Sequence, residues 1–333
     1  MTAKRRSWAK AALAIVVGLV VFVSGAWGTL ALWYQLPGGV FLRAAGAATW
    51  AVLVLGCIGG IVFMRQPWFA MAYVLAFAVM LAWWARIPPS NNRPWADDVA
   101  RLMHGELTGN IATLHNVRNF TWRAEHDADI DWQTRRYDLS HLATADAVLS
   151  YWGSPAIAHA MISFGFDDGQ HVVFSVEIRK RRGQEYSPVG GFFKQYETIL
   201  IAADERDIIG VRTNVRGEDD YLYPLVMPLP AMRSLFAAYV AAANTLEREP
   251  AFYNTVTSNC TTMVYEMARR IDPGLPMDIR LLLTGYLPEY LYDNGAVDTR
   301  VPIAQLRHQG QITARARAAP PDADFSKAIR AAH

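Results

Sequence analysis

The first 86 residues contain seven basic residues (Lys4, Arg5, Arg6, Lys10, Arg43, Arg65 and Arg86) and no aspartate or glutamate. Residues 8–36, 40–64 and 67–85 form three mostly apolar runs, each of the length, about 17–25 residues, that a helix needs to cross bilayer hydrocarbon. The charges inside them, Lys10 and Arg43, lie near run ends, where a long side chain reaches the interface. Aromatic residues mark the boundaries at Trp33, Tyr34, Trp68, Trp83 and Trp84. By the positive-inside rule the cluster Lys4, Arg5, Arg6 and Lys10 stays cytoplasmic, so three crossings carry everything after Arg86 to the other side. The expected organisation is a membrane anchor of three transmembrane helices at 1–86, an extracytoplasmic domain at 87–312, and a flexible tail rich in Ala, Arg and Pro at 313–333. A cleaved signal peptide is the competing reading of the first run, but the run is long and two more follow. A count of two spans would return the domain to the cytoplasm.

Of 32 lysines and arginines, 25 remain in residues 87–333 against 30 acidic residues, a net charge of −5 with no basic block, which argues against nucleic acid as a partner. This stretch is long enough to bury one substantial core. The chain has two cysteines. Cys57 lies in the second apolar run, leaving Cys260 as a lone thiol in its domain, without a disulfide partner if that domain faces an oxidising compartment. Around it the sequence reads YNTVTSNCTTMVYEMARR from Tyr253 to Arg270. Thr257, Ser258 and Asn259 are good N-cap residues, and Met263, Val264, Met267, Ala268 and Ile271 recur at helical spacing. Cys260 thus falls at the first turn of a buried helix, where free N–H groups and the helix dipole favour thiolate over thiol and can hold a developing oxyanion. The plainer alternative is a small, inert core residue.

A thiol nucleophile needs a base, and the base a group that fixes its orientation. Short strands are expected at 110–116, 135–139 and 146–151. The strongest strand signal follows, AIAHAMISFGF (156–166) and QHVVFSVEIRK (170–180) around Asp167-Asp168-Gly169. With a three-residue loop, Phe166 pairs with Gln170 and His159 stands opposite Glu177, with Cβ atoms roughly 5 Å apart. A two-residue Asp-Gly turn would put Ile178 there instead. The three-residue loop is favoured because it pairs the polar groups. His159 and Glu177 are then candidates for base and orienting carboxylate. A core histidine satisfied by a carbonyl, and a solvated glutamate beside Arg179, are the bland readings. His171 is a second candidate base, but it lies close to the turn. Downstream, short helices are expected at 96–103 and 192–197, a strand at 198–202 and an amphipathic helix at 232–248. Arg206, Arg212, Tyr221 and Tyr223 could meet an anionic head group or simply pair with nearby acids. His159, Glu177 and Cys260 lack the clustered spacing of a zinc site, so no metal and no cofactor is expected.

The runs WGSPAIAHAMISFGFDDGQHVVFSVEIRK (152–180), YSPVGGFFKQYE (186–197), DERD (204–207) with RTN (212–214), and YNTVTSNCTT (253–262) resemble, in that order, the bacterial domain named for the periplasmic part of Lnb, the lipoprotein N-acylating transacylase. The resemblance spans about residues 89–271. It implies an α+β domain with an antiparallel sheet, distantly similar to the permuted NlpC-type papain-like group that includes lecithin:retinol acyltransferase, in which the histidine strand precedes the cysteine helix. It implies His159 as base and Cys260 as nucleophile; Glu177 rests on the hairpin register. The same resemblance implies a multi-pass protein of the bacterial inner membrane with its C-terminal domain in the periplasm, acting on a membrane lipid or lipoprotein. In Lnb the domain precedes the membrane part, whereas here three spans come first. The expected chemistry moves an acyl chain from an ester through a Cys260 thioester to an amine, with Asn259, Tyr253, Asn254, Thr261 and Arg179 as substrate-binding or oxyanion-holding residues. A peptidoglycan hydrolase with the same pair is the second reading. A non-catalytic envelope-binding module, with imidazole and sulfur far apart, is the third.

Overall fold

The computed structural model describes residues 2–320 and 323–331. The chain forms two compact units, one from residues up to Pro89 together with Ser187–Gln195, the other from Ser90–Tyr186 together with the chain from Tyr196 on.

The first unit holds α1 (Thr2–Gln35), α2 (Val40–Val62) and α3 (Pro67–Ala85). Ala11–Gln35, Val40–Val62 and Pro67–Ala85 are long and apolar enough to cross a membrane. Small residues let the first two helices approach closely, with Val54 against Gly25 and Trp50 against Gly28. Polar groups find partners among neighbouring helices, as an apolar solvent demands. Trp50 Nε1 donates to the Gly25 carbonyl (3.0 Å), and Ser24 Oγ lies 2.7 Å from Tyr73 Oη. The segment Ser187–Gln195 belongs to this unit, with Phe193 stacked on Tyr34 and Gln35 Nε2 donating to the carbonyls of Phe193 and Lys194. The helix expected at 192–197 is absent. A single 3₁₀ turn, Gly190–Phe192, is followed by Lys194 at φ +53°, which breaks the helical run.

The second unit is built on a sheet. Its strands are β1 (His104–Thr108), β2 (Ile111–Arg118), β5 (Trp132–Asp138), β6 (Leu142–Tyr151), β7 (Ala158–Phe166), β8 (His171–Arg179), β9 (Glu197–Ala203) and β10 (Asp219–Pro224). A small separate hairpin comprises β3 (Thr121–Ala124) and β4 (Asp127–Asp129). The order is β1-β2-β9-β8-β7-β6-β10, with β5 also on β2, and every pairing is antiparallel except the β2–β9 contact. The strands expected at 146–151 and 198–202 fall within β6 and β9, and those at 110–116 and 135–139 match β2 and β5 except for residues 110 and 139. The helix expected at 96–103 reduces to one 3₁₀ turn, Asp97–Val99.

Helices cover both faces. On one lie α5 (Leu229–Arg248) and α6 (Cys260–Ile271), packed on Ala160, Ile162, Phe164 and Phe174. On the other, α4 (Glu205–Gly210) packs on Met161, Val173, Ile199 and Ile201. Every residue of β7 is buried, so its apolar run is continuous rather than alternating. Beyond α7 (Leu287–Asp293) and α8 (Ile303–Gly310), the stretch from Thr313, expected as a loose tail, folds into α9 (Thr313–Ala318) and α10 (Phe325–Arg330). Ile329 is fully buried, and Arg330 reaches Asp146 and Glu205, both at 2.7 Å. Three apolar residues there, Ala316, Phe325 and Ile329, join Ile312 just before it to complete the second face of the core. Residues 321–322 and 332–333 of the expected tail lie outside the described residues.

Candidate active site

The turn between β7 and β8 is the three-residue one. Gly169, at φ +87°, donates to the Phe166 carbonyl, and Phe166 pairs with Gln170. The register runs from Gly165↔His171 to Met161↔Ser175 and stops there. Past that point β7 stays with β6, where Ser150 pairs with His159, and β8 stays with β9, where Glu177 pairs with Ile199. The two central strands therefore part where the polar residues begin, and backbone N–H groups that would face a neighbouring strand become available to something else.

The start of α6 fills that opening. Asn259 caps the helix, accepting from the N–H groups of Thr261 (2.9 Å) and Thr262 (2.8 Å), while Thr262 Oγ1 accepts from the Asn259 N–H (2.9 Å). This reciprocal arrangement is worth about 1 kcal/mol and fixes Cys260 as the first helical residue. Its thiol lies against the His159 imidazole and the Ala160 N–H. Both residues are 8% exposed.

His159 is held from its far side. Its Nε2 lies 2.7 Å from Ser175 Oγ and 3.0 Å from Glu177 Oε1. Ser175 Oγ donates to the same carboxylate oxygen (2.7 Å), as does Arg212 Nη2 (2.8 Å). Arg212 Nη1 donates in turn to Glu218 Oε2 (3.0 Å). Burial would depress the His159 imidazole, but the Glu177 charge outweighs it and raises its pKa to about 9. Burial would raise the Cys260 thiol, yet the His159 charge and hydrogen bonds from imidazole and Ala160 N–H bring it below its ordinary value. Burial likewise works against the Glu177 carboxylate, and His159 and Arg212 together hold it well below the usual range. Both shifts work toward a thiolate beside an imidazolium, the form of cysteine that attacks carbonyl carbon.

The far end of this network has its own proton inventory. Ser150 Oγ is within hydrogen-bond distance of both Glu218 and Asp220. A hydroxyl carries one hydrogen, so it donates to one carboxyl and accepts from the other. Asp220 is fully buried, its Oδ2 has no hydrogen-bond partner, and burial pushes its pKa up to about 7. Glu218 is held below its usual value against burial by Arg212. Of the two carboxyls, Asp220 is thus the one whose protonated form its surroundings favour.

Other expected site residues divide. Tyr253 and Asn259 line, with Cys260, His159 and Glu177, a cleft of about 360 Å³. Thr261 Oγ1 lies 3.8 Å from the sulfur, but its N–H is taken by the Asn259 cap, as is that of Thr262. The Asn259 amide nitrogen is directed to the Thr255 carbonyl (2.8 Å). Among the first helical amides, the Cys260 N–H is the one left for an oxyanion. Asn254 shapes the approach rather than the cleft, accepting from the N–H groups of Val256 and Thr257 (3.0 Å each). Arg179 is a correction. Its guanidinium sits 4.4 Å over the Trp95 ring and donates to the carbonyls of Val99 (3.0 Å) and Ala100 (2.8 Å), bracing the segment before β1. It is 2% exposed because these carbonyls and the indole enclose it. His171 stands at the turn end of β8 beside the Gly169 carbonyl. Ser175, Glu218, Ser150 and Asp220 escaped notice in the sequence. The available signal was period-two polarity, Ser175 and Glu177 sharing a face with His159. Arg212, read as a possible head-group ligand, points inward instead. Among the described residues no three His, Cys, Asp or Glu side chains converge as metal ligands.

No curated protein and no solved structure matches the chain. Residues 128–285, which run from β4 to the turn before α7 and include His159, Glu177 and Cys260, match the family model described as the Lnb N-terminal periplasmic domain. This segment is thus similar to the Lnb N-terminal periplasmic domain, and it follows three apolar helices in the chain.

Proposed function

We propose that this is a membrane-anchored thiol acyltransferase of the bacterial inner membrane, with its domain in the periplasm, moving an acyl chain from a lipid or lipoprotein ester to an amine. The Cys260 thiolate attacks the ester carbonyl carbon. The tetrahedral oxyanion meets the Cys260 N–H and the positive end of α6. As the carbon–oxygen bond breaks, imidazolium His159 gives its proton to the departing alkoxide, leaving a thioester and a free alcohol. An amine then attacks the thioester, neutral His159 takes the amine proton, and the amide leaves with the thiolate restored. Glu177, held by Ser175 and Arg212, steadies the imidazolium in both half-reactions. The observation that carries this reading is the thiol at a capped helix start against an imidazole anchored on a carboxylate. Mass spectrometry of lipoprotein N-termini from cells with the wild-type protein or Cys260→Ala tests it, the variant being expected to lose N-acylation. Unchanged N-termini would overturn it.

A second reading is hydrolysis of a cell-wall amide by the same residues, with water as acceptor. The charged side of the cleft, including Asp98, Arg118, Glu125 and Arg216, supports it. It expects altered muropeptides in Cys260→Ala cells and intact lipoprotein N-termini.

A further inference from the structure

Behind the thiol, on the α5–α6 side of the sheet, lies a second cavity of about 410 Å³. Its wall adjoins the cleft at two points. Ala160 follows His159, and Thr261 follows Cys260 with Oγ1 3.8 Å from the sulfur. The space exists because five wall positions, Ala147, Ala160, Ala231, Ala268 and Ala296, carry a single side-chain carbon. Leucines, isoleucines and tyrosine rings make up most of the remainder.

The polar groups on this wall are already committed elsewhere. Tyr265 Oη donates to the Leu275 carbonyl (3.1 Å) and Tyr290 Oη to the Pro276 carbonyl (2.9 Å). Asp272 Oδ1 accepts from the Gly274 N–H (2.9 Å), and Asn294 Nδ2 donates to the Tyr290 carbonyl (2.8 Å). What remains for an occupant is hydrocarbon surface, which holds apolar molecules in preference to water. An apolar cavity of about 150 Å³ takes one benzene ring, so on the same scale this one takes a chain of about 16 carbons.

We propose that this cavity holds a linear hydrocarbon chain, the tail of the acyl group carried on Cys260, and sets an upper limit on its length. The assignment of the tail to Cys260 rests on the acyltransfer reading above; the affinity of the cavity for a chain does not. The tail leaves the sulfur past Thr261 and lies between α6 and α7, with Asp272 at the rim and the polar chain that starts at His159 on the opposite side of β7.

The test uses the full-length protein in lipid nanodiscs and a series of N-alkyl iodoacetamides, ethyl, octyl, hexadecyl and docosyl, with alkylation of Cys260 followed by mass spectrometry. Partition of each reagent into the bilayer is common to all variants and cancels between them. Relative to ethyl, the wild type should react fastest with hexadecyl and lose that preference at docosyl. Ala268→Phe and Ala231→Phe, which fill the cavity, should lower the hexadecyl-to-ethyl ratio about tenfold, while the ethyl rate, a measure of the intact thiol site, stays at the wild-type level. A separate arm uses palmitic acid bearing a terminal diazirine on Cys260→Ala. Photo-crosslinks are expected on peptides containing Val264 and Leu291 and should vanish in the Cys260→Ala, Ala268→Phe double variant. An unchanged alkyl series in both phenylalanine variants, or crosslinks confined to α1–α3, would overturn the proposal. Crosslinks in the cavity alongside unaltered lipoprotein N-termini would leave the chain site standing and remove the acyltransfer reading.

Discussion

Adjacent residues of one strand lead into opposite environments. His159 of β7 opens onto a chain of hydrogen-bonded polar groups running through Glu177, Arg212, Glu218 and Ser150 to Asp220. Ala160, one residue on, faces a cavity whose wall is almost entirely hydrocarbon. The period-two geometry of a strand separates the two, with helices covering both faces of the sheet. The difference teaches that a strand buried on both sides can partition a site, with charge kept at low dielectric on one face and apolar volume kept dry on the other. Cys260 stands at the end of this partition, where β7 and β8 part, and can address both.

The contrast breaks most completely at its base. His159→Ala removes the proton carrier, and acyl transfer should fall on the order of 10²–10⁴-fold, measured as the rate of amide formation from a diacyl lipid and an amine peptide. Next comes the middle of the polar chain. Arg212→Met removes the guanidinium that Glu177 and Glu218 share, leaving Glu177 to His159 alone, and should destabilise the protein by about 3–5 kcal/mol, read from denaturant unfolding. Acidity sharpens the same comparison. The His159 pKa is raised from 6.5 to about 9, so its stabilising contribution is whole below pH 6.5 and drains away as pH rises through about 9. That of Glu177, whose pKa is lowered from 4.5, is whole above pH 4.5 and is lost on acidification. Unfolding free energy should therefore be greatest between these limits, and Glu177→Gln should flatten the alkaline fall. The smallest effect belongs to Asp220→Asn. An amide N–H₂ can replace the donor of a protonated carboxyl but buries a second N–H where Oδ2 has no partner, so stability should fall by about 1 kcal/mol, whereas Glu218→Gln, which removes a charge facing Arg212, should cost clearly more.

How far the sequence discloses this arrangement depends on the range of the interaction. The hairpin register was legible because Asp167-Asp168-Gly169 sets the turn locally, and the turn fixes which residues face each other many positions away. The position of Cys260 was legible because Asn259 and the apolar spacing after it are local helix signals. Arg212 was not. It reaches Glu177 from a π-helical turn, Val211–Val215, placed by α4 on the far face of the sheet, and nothing in RTN announces that packing. Arg179 misled for a related reason. A charged residue two positions from a candidate glutamate shares its side of an ideal strand, but the segment carrying Trp95, Val99 and Ala100 had already claimed the guanidinium. Composition also misjudged the end of the chain. Its Ala, Arg and Pro suggest poor order, and the three apolar residues that bury there are too few to stand out.

That last stretch bears on how the protein is made and handled. Asp146 and Glu205 lie on elements far earlier in the chain, and Arg330 donates to both. A nascent chain that has threaded through to residue 320 has its sheet complete, yet keeps two acidic groups enclosed beside each other with the guanidinium still to come. Trimming by a protease or early termination after 320 would yield the same unfinished protein.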